Sequence, residues 1–433
     1  MKVVIAAGGK GTRIQSVNSQ VPKPLIPICG KPVLQREIES LRDQGYTDII
    51  ITVSYKAEQI RDYFGDGKKF GVNIEYFVED IPLGNVGALF KLDLKEDFMF
   101  LLADALFDID FNRFVNFHRA KGGLVTLFTH PNSHPYDSSI IISNNDCSVE
   151  NWLTKEEEKP QYYQNRVNAG LHIISPKVLD ICGIKRAEVG SVGVDGNIIK
   201  VDLDRQLLKP LCGTGKMFCY NSPEYCKDMG TPERLESVIR DLQMGIVQQK
   251  NLKCKQKAFF IDRDGTINKH IGFLRSVDEF ELLPGVQEAI KKINSSGYLA
   301  IVITNQPVIA RGEVTVDGLR EIHNKMETEL GTFGAYIDAI YYCPHHPHKG
   351  YDGEVVELKI NCECRKPRPG LLLQAASDFN VDLTASWMVG DSKNDIGAGK
   401  NAGCKTALIG RENMGQDISG GSLLDIVNKI LTD

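Results

Sequence analysis

The chain lacks any apolar run approaching the about 20 residues that a bilayer-spanning helix requires. It also lacks, at its N-terminus, the succession of charged region, apolar run and small-residue cleavage site that marks a secretory leader. Met1 is followed almost at once by Val3-Val4-Ile5, which reads as a strand entering a glycine loop. These absences argue against a membrane-spanning or exported protein, and the location they imply is cytoplasmic. An excess of positive charge is missing too. Lys and Arg number 51 against 56 Asp and Glu, for a net charge of -5, so a general binder of nucleic acid or of an anionic membrane is not expected. No internal repeat and no low-complexity tract is present. Cysteine is sparse and odd in number, eleven in 433 residues, which does not suit a disulfide framework. Only Cys343, Cys362 and Cys364 gather, and in a cytosolic protein such a cluster points to a metal. The other cysteines are expected to serve as small buried hydrophobes.

The content that remains is that of soluble globular domains, 42% hydrophobic and 25% charged. A length of 433 residues implies two or three domains at about 100–200 residues each. In the first half, strands expected at 2–7, 48–53, 72–78 and 98–102 alternate with helices at 33–44 and 57–64. Alternation of this kind predicts a mostly parallel sheet covered by helices, with ligands outside the carboxyl ends of its strands. A helix is expected over 231–249, where Thr231-Pro232-Glu233 supplies an N-cap, a first-turn proline and an acid. A polar, basic stretch follows and reads as a linker. A second alternating series then begins, with strands at 258–261, 299–303, 385–389 and 405–408 and a helix at 286–293. The expected organisation is an N-terminal domain over 1–245, a linker over 246–257 and a C-terminal domain over 258–433. Both domains are α/β and doubly wound, that is, Rossmann-like.

The first expected strand runs into Gly8-Gly9-Lys10-Gly11-Thr12-Arg13. Glycines let backbone N–H groups approach phosphate oxygens, and a basic residue adds charge. A glycine loop alone also fits a plain tight turn. About ten residues on, Lys23 stands between Pro22 and Pro24, well placed to present a cation. Together these residues resemble the opening signature of the nucleotide-sugar pyrophosphorylases. In that resemblance Gly8, Gly9, Gly11 and Thr12 hold the phosphates of a nucleoside triphosphate, and Arg13 and Lys23 stabilise charge in the transition state. Further segments match in order. Pro82-Leu83-Gly84-Asn85 resembles the loop that reads base and sugar. Leu102-Ala103-Asp104 resembles a strand ending in a metal-binding aspartate. Glu158-Lys159-Pro160 resembles the segment whose lysine meets the sugar phosphate. Asn168-Ala169-Gly170 resembles the segment at the sugar hydroxyls, and Asp228-Met229-Gly230-Thr231-Pro232 the source of a second carboxylate. Asp104 and Asp228 suit Mg²⁺, a hard ion that binds through one or two carboxylates plus substrate phosphates. Ala103 stands where the family has glycine. The reaction implied is in-line attack by a sugar 1-phosphate oxygen on the α-phosphorus, with pyrophosphate leaving. Positioning and charge neutralisation do most of that work.

In the second half the strand at 258–261 ends in Asp262-Arg263-Asp264-Gly265-Thr266. An aspartate at the carboxyl end of a strand can attack phosphorus and form an aspartyl-phosphate. A second aspartate two residues on can protonate the leaving alkoxide and then activate water. The motif resembles the first signature of the haloacid dehalogenase superfamily. That resemblance gives Thr304 and Asn305 the phosphoryl oxygens and Lys366 the neutralisation of charge. It assigns Mg²⁺ to Asp262, Asp391 and the main-chain carbonyl of Asp264, with Asp395 orienting that shell or Lys366. Cys343-x-His345 and Cys362-x-Cys364 lie sixteen residues apart. Four N and S donors in two close pairs suit tetrahedral Zn²⁺ with no open position, hence structural zinc. Free thiols beside a solvent-exposed histidine are the plain alternative.

This loop narrows the resemblance to the heptose 1,7-bisphosphate 7-phosphatases and the related histidinol-phosphate phosphatases. Pro307-Val308 stands where that group has Ser-Gly, and proline removes a backbone donor. Arg311 and Arg365 are candidate clamps for a distal phosphate, because guanidinium binds phosphate in bidentate fashion. The two resemblances fit one another: a heptose bisphosphatase yields a heptose 1-phosphate, and a nucleotidyltransferase consumes a sugar 1-phosphate. The implied pair is a D-glycero-D-manno-heptose 1,7-bisphosphate 7-phosphatase joined to a guanylyltransferase that uses GTP and makes GDP-heptose. Small molecules, not nucleic acid or membrane, are the expected partners. Another sugar or base, a histidinol-phosphate-type phosphatase, or an N-terminal domain that only binds and regulates are the alternatives.

Overall fold

The computed structural model describes residues 1–9, 20–193 and 196–432. The glycine loop from Gly11 through Thr12 and Arg13, with Lys10, lies outside these residues. Contacts divide the chain into two units. The first comprises Met1–His130, Ile141–Trp152 and Asn168–Asn251, and the second Pro131–Ile140, Leu153–Val167 and Leu252–Asp433. By their contacts, segments 131–140 and 153–167 group with the second unit.

The first unit is built on a nine-stranded sheet, ordered from Val149–Leu153 through Ile140–Ser143, Val167–Ile174, Phe98–Leu102, Val3–Ala6 and Asp48–Val53 to Asn73–Val78, with Val125–His130 branching from Val167–Ile174 and pairing with Met217–Asn221. Successive residues of a strand face opposite sides, and both sides here are apolar. Val3 and Ile5 join one core cluster and Val4 the other. Ile49, Ile51 and Val53 divide from Ile50 in the same way. A sheet buried on both faces needs helices on both faces. On Val33–Arg42 the residues Val33, Leu34, Ile38 and Leu41 turn inward at helical spacing. The first four strands of the alternating series are parallel. The sheet is mixed overall, because Val167–Ile174 runs antiparallel to Phe98–Leu102. The long helix expected over 231–249 is two helices, Pro232–Gln243 and Ile246–Gln249, separated at Met244-Gly245. The start of the expected linker is therefore helical.

The second unit holds a six-stranded sheet, all parallel, ordered Ala339–Cys343, Tyr298–Asn305, Lys257–Ile261, Trp387–Gly390, Lys405–Ile409 and Ile418–Gly420. Phe259 and Ile261 enter one core, Ala258 and Phe260 the other. The chain starts in the middle of this sheet and moves first to one side and later to the other. Such a reversal opens a crevice at the carboxyl ends of the central strands. Asp262 follows the first central strand directly. Among the described residues no helix is long and apolar enough to cross a membrane.

Candidate active sites

In the second unit three strand ends converge. Asp262 follows Lys257–Ile261, Thr304 and Asn305 end the neighbouring strand, and Asp391 follows Trp387–Gly390 on the other side. Carboxylate oxygens of Asp262, Asp391 and Asp395 all lie within 4.8 Å of one another. Lys366 reaches this cluster from its loop. Its Nζ is 2.6 Å from Asp262 Oδ1 and 2.6 Å from Asp395 Oδ1, and donates to Ile303 O at 2.8 Å. Burial disfavours the charge on Lys366, yet Asp262 and Asp395 outweigh it and hold its pKa above the ordinary value. Burial pushes the Asp262 carboxyl up; Lys366 opposes this and Asp395 adds to it. Asn305 fixes the lysine backbone from both sides, accepting from Lys366 N at 3.0 Å and donating to Lys366 O at 3.2 Å. The Asn305 side chain thus positions Lys366 in this structure.

Asp264 stands apart from the acidic cluster. Its carboxylate accepts from Arg263 Nε and Nη2, from Asn268 Nδ2 at 3.0 Å and from Gln306 Nε2 at 2.8 Å. Burial would raise its pKa, but Arg263, Asn268 and Gln306 prevail and hold it below the usual carboxylate range. The same Gln306 amide donates to Thr304 Oγ1 at 2.8 Å. Arg263 is wholly buried and also meets His323. Neither Arg263 nor Gln306 was singled out from sequence, although both flank motif residues. Gly265 has φ +89, and a Cβ there would collide with the Asp391 carboxylate, so glycine is required for the close approach. Asp395 caps the following helix by accepting from Ser392 N at 3.0 Å, in a reciprocal capping box. Pro307 occupies the first turn of the helix Pro307–Ala310, with Gln306 at the N-cap. A first-turn N–H has no partner within the helix, so proline is tolerated there.

The four expected zinc donors are brought together, with one ligand atom each within 4.8 Å of the others. Cys343 Sγ is 3.5 Å from Cys362 Sγ and 3.2 Å from Cys364 Sγ, and His345 Nδ1 is 3.2 Å from Cys364 Sγ. A tetrahedron with metal–sulfur bonds of about 2.3 Å has sulfur–sulfur edges of roughly 3.8 Å, near these spacings. Arg365 is tied to this loop through His345 O at 3.2 Å. Arg311 lies between the rings of Phe273 and Tyr351, 4.3 and 4.2 Å from their centroids, and pairs with Glu313 at 2.6 Å.

In the first unit the ends of Val3–Ala6 and Phe98–Leu102 are adjacent, with Ala6 opposite Leu102. This places Gly8 and Gly9 at the same end of the sheet as Asp104. Lys23 Nζ is 3.0 Å from Asp104 Oδ2. The strand Tyr225–Asp228 pairs antiparallel with Ala105–Asp108, with Asp228 opposite Ala105. Met229 N donates to Asp104 O at 3.0 Å. Asp104, Asp228 and Lys23 are thereby brought together from segments at least 81 residues apart. Asp228 accepts from Gly230 N and is paired with Arg234 Nη1 at 2.7 Å. Burial raises the Asp228 carboxyl, but Arg234 and the Gly230 bond bring it below its ordinary value. Ala103 is buried, and its N–H donates to Ala6 O.

Gly84 has φ +93, and a Cβ there would strike the Val201 carbonyl. The Asn85 side chain accepts from Leu203 N at 2.8 Å and reaches Asp202 at 3.4 Å, so it anchors that loop. Asn168 and Gly170 lie on the strand paired with Phe98–Leu102. Lys159 falls in the second unit and donates to Pro135 O and Tyr136 O at 3.1 and 2.7 Å. Glu37 was not foreseen. It sits on the apolar stripe of Val33–Arg42, 1% exposed, with neither carboxylate oxygen hydrogen-bonded. Burial, and then Asp104, push its pKa well up, with Lys23 opposing.

Comparison with known proteins matches residues 2–243 to the nucleotidyl transferase family model, and residues 363–420 to a HAD-hydrolase-like model. The D-glycero-beta-D-manno-heptose-1,7-bisphosphate 7-phosphatase of Yersinia pestis is 39% identical over 176 residues, which are 41% of this chain and 92% of that protein. The protein of the same name from Escherichia coli K12 is 40% identical over 154 residues, 36% of this chain and 78% of the relative. The crystal structure of HddC from Yersinia pseudotuberculosis is similar at a TM-score of 0.45 and 24% identity, covering 56% of this chain and 99% of that one. The chain therefore belongs to the nucleotidyl transferase family over its N-terminal part and to the heptose-bisphosphate phosphatase family over its C-terminal part, and is an enzyme with a nucleotidyltransferase and a phosphatase activity.

Proposed function

We propose that the C-terminal half removes the 7-phosphate of D-glycero-D-manno-heptose 1,7-bisphosphate. The N-terminal half then transfers a nucleotidyl group, GMP from GTP, to the heptose 1-phosphate, giving GDP-heptose and pyrophosphate. The observation that carries this reading is the 39% identity to a heptose-bisphosphate 7-phosphatase over 92% of its length, fused to a nucleotidyl transferase. Removing the distal phosphate leaves a sugar 1-phosphate, the substrate class of the other half. Guanine rests on the sequence resemblance to guanylyltransferases of the heptose and mannose kind. Work on nucleoside triphosphates and sugar phosphates belongs in the cytoplasm.

In this reading Asp262 is the nucleophile and Asp264 the acid and base. Lys366 holds the charge of the nucleophile and phosphate, and Thr304 and Asn305 line the phosphoryl oxygens. Arg311 and Arg365 face the distal part of the substrate. In the transferase, Arg13 and Lys23 face the phosphates beside Gly8, Gly9, Gly11 and Thr12. Gly84 and Asn85 shape the loop at base and sugar, and Asn168 and Gly170 meet the sugar. Hard carboxylate oxygens fit Mg²⁺, held by Asp104 and Asp228 in one half and by Asp262, Asp391 and the Asp264 carbonyl in the other. When bound, Mg²⁺ neutralises phosphate charge. Cys343, His345, Cys362 and Cys364 hold structural Zn²⁺, whose sulfur-rich donor set excludes a hard ion.

The test is to supply the protein with Mg²⁺, heptose 1,7-bisphosphate of either anomer and each nucleoside triphosphate in turn. Phosphate and pyrophosphate are followed separately. Release of both, with pyrophosphate dependent on GTP, is expected. Phosphate without pyrophosphate under every triphosphate would remove the transferase assignment. Pyrophosphate with another triphosphate alone would remove the guanylyl assignment.

A further inference from the structure

The strand Val167–Ile174 carries one histidine, His172, directly opposite Phe100 on the antiparallel neighbour. Asn168 lies four residues earlier, toward the end of the pair that leads into Asp104. His172 is 0% exposed, and its ring centroid is 6.2 Å from that of Phe100. Its Nε2 is 3.0 Å from Asn168 Oδ1, and Gly170 N donates to the same oxygen at 3.4 Å. A backbone N–H can only donate, so the amide atom turned toward Gly170 is the oxygen. The imidazole facing that oxygen must then donate, which puts its proton on Nε2. Nδ1 is buried with no partner, as an unprotonated nitrogen there would be. Burial holds the His172 pKa down to about 3, so the ring is neutral at any working pH.

We propose that His172 is a positioning residue that locks the Asn168 amide, so that its NH₂ group is presented as a hydrogen-bond donor to an oxygen of the sugar 1-phosphate. Two donors occupy Oδ1 from within the strand. The amide can rotate only by giving up the bond from Gly170, whose N–H cannot accept its NH₂, and by forcing His172 into the other tautomer, which would bury an Nδ1 proton with no partner. The sugar is thus met by a donor of fixed direction. An enzyme gains most from binding groups whose orientation is set before substrate arrives. The proposal rests on the reading above that Asn168 meets the sugar.

The test uses the full chain and steady-state transfer kinetics, varying sugar 1-phosphate and nucleoside triphosphate separately. His172→Phe keeps the ring contact and removes the donor. It should raise KM for the sugar 1-phosphate about 10-fold, leave KM for the triphosphate within about twofold, and leave phosphate release in the other half unchanged. His172→Gln, whose amide can donate to the same oxygen, should return the sugar KM to within about threefold of the parent. Asn168→Ala, measured alongside, separates the two layers. If it raises the sugar KM and His172→Phe does not, the positioning role is overturned. If Asn168→Ala itself leaves the sugar KM unchanged, the underlying assignment of Asn168 fails. A parallel rise in both KM values in His172→Phe means a structural role only and also overturns the proposal. Imidazole ¹⁵N shifts of the parent protein need no variant: a neutral ring protonated at Nε2 is expected, and protonation at Nδ1 contradicts the account.

Discussion

Lys366 bridges the acidic cluster of the second unit. It is the buried cation between two buried carboxylates, 2.6 Å from each. Removing one partner of such an arrangement leaves uncompensated charge. Lys366→Met should therefore lower phosphate release by about 10³-fold or more, with nucleotidyl transfer intact. Phosphate release within about tenfold of the parent would show that the lysine is not needed to hold the charge. Gly265 tests geometry instead of charge. A methyl group there meets Asp391, and a misplacement of about 1 Å in an active site can cost about 10²-fold. Gly265→Ala should show a loss of that order in phosphate release; parental activity would mean that Asp391 is free to move aside. At this scale the gathering of Asp262, Lys366 and Asp391, and of Cys343, His345, Cys362 and Cys364, was legible in the sequence, because the chemistry expected of them needs fixed residue types at fixed spacings. It did not expose Arg263 and Gln306, whose hydrogen bonds to Asp264 depend on which way each side chain turns. Glu37 was hidden for a different reason. It occupies an apolar position of a helical stripe, and a pattern of hydrophobic spacing carries no sign that one member is a carboxyl group.

Among elements, the strands were read most closely. Asp48–Val53 and Phe98–Leu102 stand where alternation put them, since both are apolar runs buried on two faces. The antiparallel strand Val167–Ile174 and the allotment of segments 131–140 and 153–167 were not legible. Pairing direction and long-range packing leave no periodic trace. Segment 153–167 packs on the helix Val316–Thr332, where Tyr163 N donates to Thr328 Oγ1 at 3.0 Å and Asn165 N to Glu327 Oε2 at 3.4 Å. Burial pushes Glu327 up from 4.5 to about 7, with Arg166 opposing. The folded state thus keeps a proton that the unfolded chain has lost once pH passes 4.5. The stability this group contributes is full below that pH and is lost as pH rises through about 7. Glu327→Gln mimics the neutral acid. Its Tm relative to the parent should rise between pH 5 and pH 8 by at least about 2 °C. A difference that stays constant across that range would show Glu327 ionised in the fold.

The molecule as a whole joins two units, each with its own sheet; an acidic cluster of Asp262, Asp391 and Asp395 stands at the carboxyl ends of the strands of the second. Metal analysis of protein purified without chelator should find about one zinc per chain, as a closed tetrahedral site requires. Cys362→Ser should lose it and weaken phosphate release through the loop that carries Arg365 and Lys366. Full zinc content in that variant would place the metal elsewhere. The central claim is an order of reactions: the phosphatase makes the substrate that the transferase consumes. Asp262→Asn tests it most directly. The variant is given Mg²⁺ and GTP, with heptose 1,7-bisphosphate in one reaction and heptose 1-phosphate in another, and pyrophosphate is measured. The account predicts pyrophosphate from the monophosphate at the parental rate and none from the bisphosphate. Pyrophosphate from the bisphosphate, or none from either, would contradict it.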